Sequence, residues 1–200
     1  MAPSTLRQTV LRAAIDYIAE HGPDGLSFRQ VAAAAGVSHQ APYHHFADRK
    51  GIFQAIALEG FTQLAAALRD VDADSNGERT LALLERYVEF ALDHRGHFRV
   101  MFRSELCEME SNPDLQRVAD EGFGVLVDHV QTVLGPSATL SDIRAHATAM
   151  WSLAHGLATL LIDGPLEAKV GEIADRRAFI RAVGAQTGLG KPLPPPHDRR

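Results

Sequence analysis

Cysteine is almost absent from this sequence, and Cys107 is the one cysteine among 200 residues. A single cysteine excludes an internal disulfide framework and metal sites of the CxxC type, and it suits a reducing cytoplasm. Aromatic residues make up only 6% of the chain. The first residues mix Arg7, Arg12 and Asp16 with apolar side chains, so we expect no signal peptide.

An excess of positive charge, the usual mark of a nucleic-acid-binding chain, is missing as well. The net charge is −5, from 20 Lys and Arg against 25 Asp and Glu. Residues 1–60 hold five cations and five anions, so the remainder of the chain carries the entire negative balance. The 46% hydrophobic and 22% charged content is typical of a soluble globular protein.

One uncharged stretch is long enough to raise the question of a membrane span. Residues 145–162 are eighteen residues without a formal charge, close to the length that crosses a bilayer. The stretch is interrupted by His, Ser and Thr and is rich in alanine rather than leucine. We therefore expect a helix buried in a core or an interface, and no membrane association.

Apolar residues recur three and four positions apart, and no β-branched alternation interrupts this spacing, which predicts an all-α protein of about nine helices. The expected helices run from Ser4 or Thr5 to Gly22, from Ser27 to Gly36, briefly after Ser38, and over residues 48–68, 80–94, 97–109, 112–134, 141–162 and 166–187. Prolines and charges beyond Gly188 predict a disordered tail over residues 189–200.

Residues 26–53 carry the most informative motif. Ser27 and Gln30 have the spacing of a capping box at the start of a helix. Gly36 supplies the left-handed conformation that a tight corner between two helices requires. The short helix that follows has a polar and aromatic face, made of His39, Gln40, Tyr43 and His44. A helix, a glycine corner and a short polar helix are typical of the DNA-reading helix–turn–helix.

This segment resembles the N-terminal DNA-binding domain of the TetR family of bacterial transcriptional regulators. The residues that carry the resemblance are Val31-Ala32, Ala35-Gly36-Val37-Ser38, Tyr43, His45-Phe46 and Arg49. The resemblance covers roughly residues 5–60 and implies a three-helix DNA-binding domain over residues 1–60. It further implies an effector-binding and dimerisation bundle over residues 61–188.

Two residues depart from the family pattern. Pro42 stands where the family usually has leucine, and it removes an N–H that the short helix needs. We therefore expect this helix to begin one residue late or to have a distorted first turn. Arg49 replaces the family's usual phosphate-binding lysine and is followed by Lys50. Either cation serves a phosphate, so DNA binding is still expected.

Residue chemistry and the resemblance together assign roles within the motif. The predicted phosphate contacts are Arg29, Tyr43, Arg49 and Lys50. The predicted base contacts are His39, Gln40, Ala41 and His44, and Ser38 completes the predicted DNA-binding set. Gln40 is expected to pair with adenine, and the Ala41 methyl to touch a thymine methyl. His45 and Phe46 are expected to pack in the core of the three-helix domain.

The second half of the chain carries a weaker resemblance. Trp151 and His155-Gly156 are similar to the Trp…His-Gly signature of one TetR-family subgroup, and residues 94–102 are similar to its sixth-helix start. Trp151 and His155 share one helix face and either form a core pair or line a ligand cavity. The candidate walls of that cavity are Phe98, Met101, Phe102, Phe123, Val127, Trp151 and His155. No cofactor is expected, only a small-molecule effector of unknown identity.

The last two helices are expected to join two copies of the chain. Their broad apolar faces are Leu153, Leu157, Leu160 and Leu161 on one, and Ile173, Phe179, Ile180 and Val183 on the other. Two such helices from each chain make a four-helix interface. The resemblance implies a homodimeric repressor that binds a palindromic operator in double-stranded DNA and is controlled by its effector. Its expected location is the nucleoid in a bacterial cytoplasm.

Two other functions stay open on the sequence alone. A metal or redox sensor would use His94, His97 and Cys107. A helix–turn–helix used only for protein contacts would show no salt-dependent DNA binding. No GxSxG, HExxH, Walker or Rossmann signature occurs, so we expect no enzymatic activity.

Overall fold

Residues 5–188 are described by a computed structural model, and this part of the chain is helical, with no strand. Its ten α-helices are α1 Leu6–His21, α2 Phe28–Ala35, α3 Arg49–Arg69, α4 Asn76–Asp93, α5 Arg95–Met101, α6 Ser104–Cys107, α7 Pro113–Leu134, α8 Leu140–Ile162, α9 Glu167–Val170 and α10 Arg176–Gln186. Two 3-10 turns, Pro42–His44 and Met109–Ser111, lie between them. The predicted all-α class is confirmed.

The helices form two compact units. The first comprises the described residues up to Ala65 together with Asp93–Glu121. The second comprises Ala66–Leu92 and the described residues from Gly122 onwards. The domain boundary at residue 60 stays a prediction, and the tail predicted over residues 189–200 lies outside the described residues.

The helix ends of the first unit follow the local signals in the sequence. Thr5 and Gln8 form a capping box at the start of α1. At the start of α2, the Ser27 hydroxyl oxygen accepts a hydrogen bond from the Gln30 N–H at 3.3 Å. Gly36 ends α2 with φ 65° and ψ 31°, a left-handed conformation that glycine adopts without a Cβ clash.

A close approach of α5 to α1 holds the first unit together. A Cβ added at Gly96 would lie far inside van der Waals contact with the backbone oxygen of Ile15. Three residues further along α5, Nη1 of Arg99 donates to the carbonyl oxygen of Ala19 at 3.0 Å. The core beneath is apolar and includes Val10, Ile18, Val31, Ile52 and Ile56, all fully buried.

In the second unit, α10 lies against α4. A Cβ at Gly184 would come within 2.6 Å of a Leu84 methyl, so the glycine permits a close helix contact. Arg177 and Arg181 of α10 both form ion pairs with Glu85 of α4, at 2.6 and 3.0 Å. A separate apolar cluster joins α7 to α8 and consists of Val130, Ile143, Ala147 and Met150.

Two helices expected to be continuous are broken. The segment expected as one helix over residues 97–109 is divided into α5, α6 and the start of a 3-10 turn, and Glu108 has a positive φ of 42°. The helix expected over residues 166–187 stops at Gly171, with φ 85°, and restarts after Asp175, whose side chain caps α10. Ile173, assigned to an apolar helix face, therefore lies outside both helices.

One helix in the described part of the chain, Arg49–Arg69, is long and apolar enough to cross a membrane. Half of its most apolar window is buried inside the protein, as in the core helices of soluble proteins. The uncharged stretch at residues 145–162 belongs to α8, whose buried side includes Ala147, Ala154 and Leu157.

The close approach at Gly96 predicts a large cost for any side chain there. Gly96→Ala is expected to lower the free energy of unfolding by roughly 3 kcal/mol, the upper part of the usual overpacking range, because the neighbouring atom is backbone and cannot rotate away. Gly124→Ala in α7, which would meet nothing within 4 Å, should raise it by about 0.5–1 kcal/mol. Urea denaturation of both variants measures the difference, and equal stabilities would contradict the proposed close packing.

Candidate nucleic-acid interface

The segment after the Gly36 corner, residues 38–46, is called the polar segment below. It contains turns and the single 3-10 turn Pro42–His44 in place of the short α-helix expected after Ser38. The Ala41 N–H donates to the Ser38 carbonyl at 2.9 Å, and the Phe46 N–H donates to the Pro42 carbonyl at 2.9 Å. Pro42 itself has no N–H to donate. The sequence predicted a short α-helix with a late start or a distorted first turn, but residues 38–46 contain no α-helix, so the disturbance extends beyond the first turn.

Most of the residues predicted to bind DNA lie at the surface of this segment. Ser38, His39, Gln40 and His44 are exposed, as is Arg29 on α2. The Tyr43 side chain is 52% exposed, and its ring packs edge-on against Phe28 with centroids 4.5 Å apart. The Tyr43 ring is thus supported on one side by Phe28 and accessible to solvent on the other.

Two residues of the polar segment face the opposite way from the predictions. Ala41 is only 4% exposed, so its methyl packs in the core. The structure therefore contradicts the predicted contact of this methyl with a thymine methyl. His45 is exposed, although it was predicted to be a core residue. A 3-10 turn has three residues per turn instead of 3.6, which rotates successive side chains away from the positions of an α-helix. Phe46 is buried as predicted.

Arg49 and Lys50, both predicted to bind phosphate, already have partners within the first unit. Nη2 of Arg49 donates to the carbonyl oxygen of Pro23 at 2.9 Å, and its guanidinium carbon lies 5.0 Å from the centre of the Phe53 ring. Arg49 therefore ties the start of α3 to the corner between α1 and α2. Nζ of Lys50 lies 3.0 Å from Oε2 of Glu108, and this hydrogen bond raises the pKa of Lys50.

The residues of the metal or redox alternative do not form a site. Within residues 5–188, no group of three His, Cys, Asp or Glu side chains could hold a metal ion. Cys107 is buried, and burial raises the pKa of its thiol, which disfavours the reactive thiolate. Nε2 of His97 contacts a carboxylate oxygen of Glu59 at 3.3 Å. Nothing in this arrangement favours a metal or redox sensor.

A polar aromatic cluster lies in the second unit around Tyr87 of α4. The Tyr87 hydroxyl accepts a hydrogen bond from Nε1 of Trp151 at 3.3 Å and lies 3.0 Å from Nδ1 of His155. The Phe123 ring lies 5.9 Å from the Trp151 ring. Burial raises the pKa of Tyr87 and lowers the pKa of His155, so the neutral forms of both side chains are favoured. Tyr87 was missed by the sequence analysis, because one tyrosine on an apolar helix face gives no signal.

Trp151 is 38% exposed, so the pair that it forms with His155 is not a fully buried core pair in the single chain. The other candidate cavity walls divide between the two units. Phe98, Met101 and Phe102 belong to the first unit, and Phe123, Val127, Trp151 and His155 to the second. Val127 packs against the apolar cluster of α7 and α8, which favours a core role for this residue.

Two protein-family patterns match the chain. Residues 10–56 match the family described as bacterial regulatory proteins, tetR family. Residues 80–183, more than half of the chain, match the family described as tetracyclin repressor-like, C-terminal domain. The two matches follow one another in the order of the two halves of such regulators.

Individual proteins are similar over different lengths. The HTH-type transcriptional repressor AcnR of Corynebacterium glutamicum is 35% identical over 34% of this chain and 36% of its own length, so the match spans about a third of that protein. AcnR of Corynebacterium diphtheriae is 29% identical over 66% of this chain and 78% of its own length. A solved structure of a protein of unknown function from Rhodococcus sp. RHA1 has a TM-score of 0.74 at 29% identity, covering 95% of this chain and 98% of that one.

The fold, the glycine corner and the exposed polar segment define a helix–turn–helix DNA-binding transcriptional regulator. With both family patterns in sequence order, the chain belongs to the TetR family of bacterial regulatory proteins. Its relatives are named as repressors, and the chain is a transcription factor rather than an enzyme. Regulators of this family are soluble cytoplasmic proteins that bind DNA and typically a small-molecule effector.

Buried histidines predict that this protein is less stable in mild acid. Nε2 of His129, which is 4% exposed, contacts the Thr80 hydroxyl at 2.8 Å. Burial lowers the pKa of His129, and also those of His97 and His155. Below about pH 6.5 the unfolded chain binds more protons than the folded one, so stability falls as the pH falls, by at most about 1.4 kcal/mol per pH unit for each histidine.

Thermal unfolding between pH 7.5 and pH 5 measures this slope. His129→Gln should flatten it, whatever its effect on stability at neutral pH. His44→Gln, at an exposed position, serves as the control and should leave the slope unchanged. A slope that is the same in all three proteins would contradict the assignment to His129.

Proposed function

We propose that this protein is a homodimeric repressor that binds a palindromic operator and releases it when a small molecule binds the C-terminal half. The observation that carries the proposal is the exposed polar segment that follows the Gly36 corner. Six of its side chains that carry hydrogen-bonding groups are exposed, namely Ser38, His39, Gln40, Tyr43, His44 and His45. The naming of the AcnR relatives as repressors supports the direction of regulation.

The DNA contacts follow from side-chain chemistry. His39, Gln40 and His44 meet base edges in the major groove, and a Gln side chain pairs with adenine through two hydrogen bonds. Arg29, Tyr43 and Lys50 bind phosphates and fix the register, with Ser38 beside them. Arg49 also binds a phosphate in this proposal. Its hydrogen bond to the Pro23 carbonyl gives it a second role, which is to hold the start of α3 against the corner between α1 and α2. Ala41 is left out, because it is buried.

The proposed dimer uses α8 and α10. The outer side of α8 is a stripe of small and apolar exposed residues that includes Ala145, Thr148, Ala149, Ser152 and Leu160. The outer side of α10 exposes Ala178, Ala182 and Ala185. Uncharged small residues let helices of two chains approach closely, and two helices per chain make a four-helix interface. The two half-sites of a palindrome lie about 34–36 Å apart, one turn of DNA, so a dimer is needed to bind both.

The proposed effector site is the aromatic cluster of Phe123, Trp151 and His155 in the second unit. Apolar walls with a few polar groups are typical of small-molecule pockets. Trp151 is the one tryptophan of the chain, so its fluorescence reports directly on this cluster in an effector screen. The proposed location of the protein in the cell is the nucleoid.

Selection of bound DNA from a random duplex pool tests the DNA contacts. The wild-type protein is expected to recover a palindrome. Gln40→Ala should lose the preference at one or two positions of each half-site, because it removes a base contact. Arg29→Ala should weaken binding to all sequences and reduce the salt slope by about one, because it removes a phosphate contact. Recovery of no preferred sequence by the wild-type protein, or the same uniform loss in both variants, would contradict the assigned roles.

The dimer is tested by placing a charge on the proposed face of α8. Leu160, 44% exposed, lies on this face, and Leu160→Arg is expected to produce monomers in sedimentation velocity experiments, since a buried unpaired charge is costly. Leu140→Arg is the matched control, because Leu140 is 60% exposed and lies roughly 200° around the same helix. A dimer that survives Leu160→Arg would argue for another interface.

A further inference from the structure

The chain between α5 and α7 folds back onto the DNA-binding part of the first unit through three polar contacts. A guanidinium nitrogen of Arg103 lies 3.2 Å from a carboxylate oxygen of Asp24 at the corner between α1 and α2. Nε2 of Gln54 donates to the carbonyl oxygen of Cys107 at 3.0 Å. Nζ of Lys50 lies 3.0 Å from Oε2 of Glu108. The return segment, residues 103–108, is thus fixed on the start of α3.

Glu108 reaches Lys50 through an unusual backbone conformation. Its φ of 42° and ψ of 55° are left-handed, and it is the one non-glycine residue with a positive φ among residues 5–188. Such conformations are uncommon for residues with a Cβ and often mark functional positions. This conformation ends α6 and begins the next 3-10 turn at the same residue.

Lys50 and Gln54 are one helical turn apart in α3, so they lie on the same face. The return segment contacts this face at both residues. Lys50 is also one of the cations assigned to the DNA backbone under the proposed function. A carboxylate of the protein and a phosphate of the DNA would therefore use the same ammonium group.

The Lys50–Glu108 ion pair is placed where it can be exchanged. The two side chains are 42% and 54% exposed, and exposed pairs of this kind contribute little to stability. A DNA phosphate can thus replace the carboxylate without unfolding the return segment, which keeps its contacts through Gln54 and Arg103. The freed carboxylate would then remain near the phosphate and repel it.

We propose that Glu108 is an internal competitor for the DNA phosphate at Lys50 and that it lowers the affinity of this protein for DNA. This inference rests on the proposed function. It assigns a role to a residue outside the helix–turn–helix motif, because Glu108 pairs with the ammonium group that is proposed to bind phosphate. DNA binding requires the exchange of one anion for the other in each subunit.

The test is equilibrium binding of the full-length protein to a labelled duplex of random sequence of about 30 base pairs, measured by fluorescence anisotropy over a range of salt concentrations. Glu108→Gln removes the charge and keeps the shape of the side chain. Glu110→Gln is the matched control. Glu110 is an exposed glutamate two residues away, and its substitution changes the net charge of the protein by the same amount. Lys50→Gln and the double variant Lys50→Gln with Glu108→Gln complete a cycle.

Glu108→Gln is expected to bind about two- to fivefold more tightly per subunit than the wild type, the range expected for an exposed ion pair. In the wild type, the freed Glu108 carboxylate attracts a cation from solution when DNA binds, which reduces the net release of cations. Glu108→Gln has no such carboxylate, so its plot of log affinity against log salt should be steeper by up to about one per subunit. Glu110→Gln should show less than half of this gain. In the Lys50→Gln background, Glu108→Gln should add no more than Glu110→Gln does.

Equal gains from Glu108→Gln and Glu110→Gln would overturn the inference, since only the general charge of the protein would then matter. A gain that persists in the Lys50→Gln background would overturn it as well. If the folded wild type and every variant fail to bind the duplex at low salt, the proposed function fails, and the inference fails with it. Tight binding by the wild type with no effect of Glu108→Gln leaves the proposed function standing and removes this inference alone.

Discussion

The contact between Gly96 and the backbone of Ile15 is the constraint on which the first unit depends. Only a residue without a side chain lets α5 approach α1 so closely, and the bond from Arg99 to Ala19 extends the contact along both helices. Because α5 is held there, the chain that follows it belongs to the same compact unit as the helix–turn–helix. Glu108, which is 58 residues from Lys50 in sequence, therefore borders the group that is proposed to bind DNA.

The ends of a helix were predictable wherever the residues that start or stop it lie within a few positions in sequence. Thr5, Ser27 and Gly36 start or end helices as their side chains or backbone freedom dictate. The break between α5 and α6 and the break at Gly171 were not foreseen, because an apolar spacing of three and four continues across both. A positive φ at a glutamate has no sequence signature. The ion pairs between α4 and α10 likewise join residues far apart in sequence, so no local sequence pattern predicts them.

The candidate interface was predictable in composition and less so in orientation. The sequence identified the polar segment and a disturbance at Pro42, since proline lacks an N–H. It placed Ala41 outside and His45 inside, the reverse of the structure. Those two assignments assumed the 3.6-residue period of an α-helix, and a single 3-10 turn changes which side chains face solvent. The partners of Arg49 and Lys50 come from distant segments and could not be read locally.

The bond from Arg49 to the Pro23 carbonyl has a consequence for how such a protein diversifies. It fixes the start of α3 to a backbone oxygen at the corner between α1 and α2. The ring of Phe53, in the same helix, lies against the guanidinium, and neither partner belongs to the polar segment. The frame that presents the exposed side chains is thus anchored independently of their identity. Under the proposed function, substitutions at positions 39, 40 and 44 would alter which DNA sequence is bound and leave this supporting contact in place. Target choice and architecture would then be separable traits in this chain.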